Sequence, residues 1–289
     1  MEVITRVAAM QELCLHLKRF GKSIGLVPTM GYLHEGHLSL LGAARGENDI
    51  VVMSNFVNPL QFGPKEDFAT YPRDPERDNR LAEAAGVDYV FAPSSAEMYP
   101  EGYSTFVEVK GDIAEKMCGR SRPGHFRGVT TVVLKLFLIT QPDRAYFGQK
   151  DAQQAVIIKK MVADLNIPVR IVTCPIIREA DGLALSSRNT YLSPEERKQA
   201  LALPRALSAG KEMILKGETD PRRVRQEILR VLESSPGIRV DYVEVVGGED
   251  LAELGELKGR VLLAAAVYVG KTRLIDNIDL EVRPCTAPC

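Results

Sequence analysis

The chain lacks any apolar run long enough to cross a bilayer, and residues 1–11 carry acidic and polar side chains where a secretion signal needs an apolar core. Both absences point to a cytoplasmic protein with no membrane partner. It also lacks a charge imbalance. With 37 Lys and Arg against 38 Asp and Glu in 289 residues, no basic field offers itself to nucleic acid, and a small-molecule partner fits better. Cysteines are few: Cys14, Cys118, Cys174, Cys285 and Cys289 form no CxxC pair, and the odd total leaves one over, which reads as reduced thiols. Cys285 and Cys289 sit in a Pro-containing tail without the partners a metal needs. Histidine is scarce too, at four residues, which gives weight to the two that share one short segment. Apolar side chains are abundant, 45% against 26% charged, enough for a substantial core and, by length, for two ordinary domains.

Up to Pro175, short β-rich runs alternate with helical stretches. Strands are expected at Ser23–Val27, Ile50–Phe56, Tyr89–Ala92, Ala145–Phe147 and Val169–Cys174, and helices at Leu38–Ala44, Pro75–Ala85, Thr130–Ile139 and Ala152–Leu165. Ile50-Val51-Val52-Met53 is apolar without alternation, as a parallel strand covered by helices on both faces should be. The rhythm predicts an α/β fold, a doubly wound, mostly parallel (Rossmann-like) sheet, over residues 1–175. After Pro175 helices come first, at Ser193 onward and Pro221–Leu232, and strands later, at Val240–Val245, Val261–Val269 and Thr272–Ile278. That order predicts a smaller α+β domain over 176–289.

Four segments carry chemistry. Pro28-Thr29-Met30-Gly31-Tyr32-Leu33-His34-Glu35-Gly36-His37 follows the first expected strand and opens a helix. Such a turn offers free backbone N–H groups and a positive helix end to an anion, and Gly31 and Gly36 would let a phosphate chain approach. His34 and His37, three apart, can face one ligand and donate hydrogen bonds to phosphate. The same pair suits a metal, but no third ligand stands at a metal-site spacing. Gly148-Gln149-Lys150-Asp151, again a strand running through glycine into a helix, adds a phosphate-reaching lysine, with Gln154 one turn on. Leu185-Ser186-Ser187-Arg188 offers two hydroxyls and a planar guanidinium fork; alone, such a run is more often a solvated turn. Asn58-Pro59-Leu60-Gln61 lies at the carboxyl end of the second strand, where open α/β sheets bind ligands, and Gln61 can orient a small hydroxy acid.

Taken in order, Pro-Thr-Met-Gly-x-x-His-x-Gly-His (28–37), Asn-Pro-x-Gln-Phe-Gly (58–63), Phe-Gly-x-Lys-Asp (147–151) and Leu-Ser-Ser-Arg-Asn (185–189) resemble the pantothenate synthetase (pantoate-beta-alanine ligase) family of nucleotidyltransferases over nearly the whole chain. The resemblance implies that ATP is cradled by Met30, Gly31, Tyr32, Leu33, His34, Glu35, Gly36 and His37. Gly148, Gln149, Lys150, Asp151, Ile177, Leu185, Ser186, Ser187 and Arg188 would complete that site. His37, His34, Lys150 and Arg188 would be catalytic, and Gln61 and Gln154 would hold pantoate, Gln61 also lying near β-alanine. It further implies a pantoyl-adenylate intermediate, magnesium and a homodimer. Cys118–Gly128, with its clustered arginines, looks family-like and would lie near the active site and the subunit contact. In the segment after Tyr71-Pro72-Arg73 this chain has Glu76-Arg77-Asp78 where many relatives carry adjacent acids, so no metal ligand is assigned. The rival readings are a nucleotidyltransferase acting on a phosphorylated acceptor, which an uncharged Gln61/Gln154 pair suits poorly, and a non-catalytic ATP sensor.

Overall fold

The non-alternating apolar runs of the first half become the strands of one sheet: β1 (Glu2–Ile4), β2 (Ile24–Thr29), β3 (Ile50–Asn55), β4 (Tyr89–Phe91), β5 (Arg144–Gly148) and β6 (Arg170–Cys174). The computed structural model describes residues 1–64 and 66–283; Cys285 and Cys289 lie outside the described residues. Strand order is β1-β4-β3-β2-β5-β6, and every neighbouring pair runs parallel. The longer helices of this part are α1 (Val7–Arg19), α2 (Glu35–Glu47), α3 (Pro75–Ala84), α4 (His125–Thr140) and α5 (Ala152–Asp164). Successive strand residues point to opposite faces. Leu26 and Val52 therefore pack with Met10 of α1 and Val129, Val133 and Phe137 of α4, while Val27, Val51 and Met53 pack with Leu41 and Ala44 of α2 and Ala82 of α3. Helix α1 and the edge strand β1 were not anticipated. Arg6 precedes α1 without a side-chain cap, so the segment carries no start signal, and only tertiary burial of Met10 and Cys14 shows its inner face.

The chain crosses from β2 outward through β3 to β4, and later returns to lay β5 against the other side of β2. Those two central strands pair only at Gly25↔Arg144 and Leu26↔Ala145, although β2 runs on to Thr29 and β5 to Gly148. Their carboxyl ends splay, and the resulting crevice lies at the point where strand order reverses.

Beyond Pro175 come α6 (Pro194–Ala200), α7 (Ala202–Leu215), α8 (Pro221–Glu233) and an antiparallel sheet of β7 (Ile238–Gly247), β8 (Gly259–Val269) and β9 (Thr272–Val282). A capping box opens α6: Ser193 Oγ accepts from Glu196 N at 3.3 Å, and Glu196 Oε2 accepts from Ser193 N at 2.9 Å. β7 and β9 outrun their expected bounds because charged residues such as Arg239, Asp279 and Glu281 interrupt the apolar signal near their ends. In β8, Val261, Leu263, Ala265 and Val267 pack on Leu207 of α7 and Val224 and Ile228 of α8, whereas Leu262, Ala264 and Ala266 join Ala152, Val156 and Ile157 of α5. The small sheet is thus apolar on both faces, and one face seats it on the parallel-sheet layer. Asn277 of β9 reinforces that seat, its Nδ2 donating to Gln149 O at 2.9 Å and to Lys150 O at 3.0 Å. Among the described residues no helix is long and apolar enough to cross a membrane.

Candidate active site

The turn after β2 is built on two consecutive left-handed residues, Gly31 at φ +79° and Tyr32 at φ +51°. Such a conformation costs a residue with a Cβ about 1–2 kcal/mol, and Asp78 of α3 compensates. Its two carboxylate oxygens accept from Tyr32 N and Leu33 N, both at 2.7 Å, and the side chain is 1% exposed. This corrects two expectations. Five N–H groups of the turn are already engaged, because Asp78 takes two, Thr29 Oγ1 takes Gly31 N at 3.2 Å, and the histidines take two more. Gly31 does not open a path for phosphate either: a Cβ there would stand 2.5 Å from Asn55 Oδ1 and 2.9 Å from Asp78 Oδ2, so the glycine serves the turn. Asp78, in the segment to which no metal ligand is assigned, commits both carboxylate oxygens to these backbone donors.

His34 is the N-cap of α2. Its Nδ1 accepts from Gly36 N at 3.2 Å, and His37 Nδ1 accepts from His34 N at 3.3 Å. With both Nδ1 atoms acting as acceptors, the proton of each neutral ring sits on Nε2. The rings lie 4.1 Å apart, tilted by 33°, and both side chains line the crevice. Gly36 is required here because a Cβ would stand 2.9 Å from His34 Cε1. Burial, Lys150 and Arg77 push His34 down to about 4, and burial, His34 and Lys150 push His37 down to about 3. Both are neutral donors at neutral pH. The unfolded chain takes up these protons below about pH 6.5, as an ordinary histidine does, and the folded chain resists. Stability should therefore decline as pH falls from about 6.5 to 4. The midpoint of urea unfolding should drop across that window, and His34→Gln should flatten the drop; an unchanged slope would remove His34 as its source.

Around these rings the chain brings its distant segments together in one cleft of about 220 Å³. Met30, His34, Gly36 and His37 form one side. Gly148, Lys150, Asp151 and Gln154 come from the turn after β5. Ile177, Leu185, Ser186, Ser187 and Arg188 close it from the loop after β6, where Leu185 N donates to Ile177 O at 3.0 Å across the turn at Gly182, φ +93°. Gln61 enters from the 3₁₀ turn Pro59–Gln61; its Oε1 accepts from Asn58 Nδ2 at 3.1 Å, and its Nε2 lies 3.2 Å from Met30 Sδ. Gly31, Tyr32, Leu33, Glu35 and Gln149 do not line this cleft. Leu33 is in the core at 1% exposure, and Gln149 Nε2 donates to Asn277 Oδ1 at 3.2 Å. Gly31 is buried as well, whereas Glu35 is exposed.

Several lining residues went unassigned. Val129, Val132, Val133 and Leu136 give the cleft an apolar wall on α4, where the sequence shows only helix core; Phe56, directly after β3, extends that wall. Arg122 and His125 do fall in the segment Cys118–Gly128. Arg122 is bidentate to Glu66 at 2.7 and 2.6 Å, and its Nη1 lies 2.9 Å from His125 Nε2. An arginine can only donate, so His125 Nε2 accepts and Nδ1–H donates to Gln61 O at 2.9 Å. Burial and Arg122 push His125 down to about 4, which keeps it neutral in that role. Tyr71, whose hydroxyl meets Ser187 Oγ at 3.1 Å, gave no sequence signal.

Among the described residues no cluster of three His, Cys, Asp or Glu side chains forms a metal cage. An α/β enzyme that handles a nucleotide at the switch point of its sheet is the class this arrangement defines. A family model described as pantoate-beta-alanine ligase matches residues 2–279. The pantothenate synthetase of Acetivibrio thermocellus is 60% identical over 98% of this chain and 100% of its own. The solved pantothenate synthetase of Thermus thermophilus superposes with a TM-score of 0.92 at 50% identity, over 98% of this chain and 100% of that one. The pantoate-beta-alanine ligase of Francisella tularensis, solved with beta-gamma ATP and beta-alanine, superposes at 0.78 with 36% identity, over 96% and 97%. The chain belongs to the pantoate-beta-alanine ligase family, and the ATP-dependent condensation of pantoate with β-alanine is its activity.

Proposed function

We propose that the condensation proceeds in the crevice between β2 and β5 through a pantoyl-adenylate. The pantoate carboxylate attacks the α-phosphorus of ATP and releases pyrophosphate; β-alanine then attacks the acyl-adenylate, yielding pantothenate and AMP. A carboxylate is already ionised at neutral pH, so the first step needs positioning and charge neutralisation more than a base. Neutral imidazoles suit that need. The Nε2–H groups of His34 and His37 would donate to phosphate oxygens, with Lys150 and Arg188 as cations and Ser186 and Ser187 as hydroxyl donors. Gln61, its Oε1 engaged by Asn58, would turn its amide N–H to pantoate. Gln154 would face the same substrate, and the wall of α4 would accept pantoate's paired methyl groups. Residues 1–175 would supply most of the site and 176–289 would cover it.

Magnesium would arrive as part of Mg–ATP, held mainly by phosphate oxygens and water, which accords with the absence of a three-ligand cluster among the described residues. Bound there, it would neutralise the charge developing on pyrophosphate. The homodimer is part of this reading and rests on the family resemblance; the cytoplasmic location is part of it too and rests on the sequence features set out above.

The observation that carries the reading is that turns at 28–37, 148–154 and 185–188, far apart in sequence, line one cleft. Labelled pyrophosphate tests it. Exchange into ATP should require pantoate but not β-alanine. Folded protein that makes pantothenate without such exchange would rule out the adenylate route, and nucleotide binding without AMP formation across a panel of acids would favour a sensor.

A further inference from the structure

Each of three cations at the cleft has an acid beside it: Lys150 with Asp151 at 3.8 Å, Arg122 with Glu66 at 2.6 Å and Arg188 with Asp67 at 2.8 Å. Both arginines are held through Nε and Nη2, but Arg188 is the one that the proposed function places on the nucleotide phosphates. Arg188 Nε donates to Asp67 Oδ2 at 2.9 Å and Nη2 to Oδ1 at 2.8 Å. Two parallel N–H bonds from one guanidinium edge are also how arginine grips two phosphate oxygens. Asp67 therefore sits on the donors that a nucleotide phosphate would use. Burial works to raise the Asp67 carboxyl, but the hydrogen bonds and charge of Arg188 hold it below the usual carboxylate range, so it is ionised at neutral pH.

Arg188 does not owe its place to Asp67 alone. Its backbone N donates to Ser186 Oγ at 3.3 Å, its guanidinium carbon lies 5.7 Å from the centre of the Tyr71 ring, and the Tyr71 hydroxyl is tied to Ser187. Taking the carboxylate away frees the fork while the arginine stays at the cleft. The pair is also within reach of an incoming anion, with side chains 25% and 23% exposed.

We propose that Asp67 is a positioning residue acting through Arg188, an internal carboxylate that occupies the arginine fork until a nucleotide phosphate displaces it. The inference rests on Arg188 being a phosphate ligand, as in the function proposed above. The exchange is made once, on binding, and is complete before phosphorus is attacked. It weakens ground-state and transition-state binding alike, so it raises the KM for ATP and leaves kcat alone. It also favours polyphosphates: an anion with a single phosphate has fewer other contacts with which to offset the lost pair.

The test is Asp67→Asn, which keeps the shape and removes the charge. Calorimetric titration with Mg–ATP, without pantoate, should give a Kd about three- to tenfold tighter than that of the parent. The KM for ATP should fall in step, with kcat unchanged, and inorganic phosphate should become a stronger competitor. Unchanged or weaker ATP binding would overturn the proposal, as would a lower kcat at unchanged KM. Asp67→Ser, which leaves the fork without a carboxylate, should move in the same direction and serves if the first variant folds poorly. Arg188→Ala separates the two levels. If it weakens ATP binding and abolishes the effect of Asp67→Asn, both readings hold. If it leaves ATP binding unaltered, the phosphate role of Arg188 falls, and this proposal with it. If it weakens ATP binding while Asp67→Asn tightens nothing, only the competitor falls.

Discussion

Replacing His37 with alanine should slow pantoate-dependent pyrophosphate exchange by about 10²–10³-fold, the usual consequence of deleting one preorganised donor to a developing charge. The expectation follows from the orientation of the ring. His37 Nδ1 accepts from His34 N, so its only proton is on Nε2, and the ring lines the same cleft as Lys150 and Arg188. Burial, His34 and Lys150 keep it neutral at about 3, so it acts as a dipole with a fixed direction rather than as a titrating acid. Alanine removes that donor without touching Gln61 or Gln154, and pantoate affinity should stay within about twofold. The fold should survive: His34 N loses its acceptor, which costs about 1 kcal/mol. His37→Gln, whose amide N–H can approximate Nε2–H, should recover part of the rate. Parental exchange by purified, folded His37→Ala would remove His37 from the catalytic set.

The second large effect is on stability. Asp78→Ala should lower the unfolding free energy by about 2–4 kcal/mol, measured by urea denaturation, and reduce exchange as well. Asp78 is 1% exposed and accepts two short backbone bonds, from Tyr32 and Leu33. Without it, both N–H groups are buried without a partner, and Tyr32 loses the anchor that holds its left-handed backbone at φ +51°. The turn that aims His34 would relax, so activity should fall further than stability alone predicts. Asp78→Asn keeps one carbonyl acceptor and should lose less on both counts. An Asp78→Ala protein as stable as its parent would show that the turn does not depend on this carboxylate.

These two residues show how unevenly the site could be read in advance. His37 was legible because it stands in a glycine-flanked strand-to-helix turn, and turn chemistry is local: strand, glycine and helix start are neighbours in the chain. Lys150 was legible for the same reason, and the Ser186–Arg188 run became so beside the other motifs. Asp78 carried no such signal. It lies forty-odd residues from the turn it stabilises, and until the chain folds it is one more acid at a helix start. Asp67, Tyr71 and the α4 wall share that obscurity, since each acquires its role from a partner distant in sequence.

The parallel-strand rhythm, the late strands after Val240 and the three segments that carry cations, hydroxyls and imidazoles are legible in the chain alone, because periodicity and turn preference are properties of neighbouring residues. Tertiary structure alone decided that β2 and β5 splay after Leu26 and Ala145, that both imidazoles present Nε2–H, and that Arg188 meets Asp67. Those outcomes depend on pairing and burial between segments with no common local signal, and such contacts acquire their geometry only when the packed core fixes both partners at once.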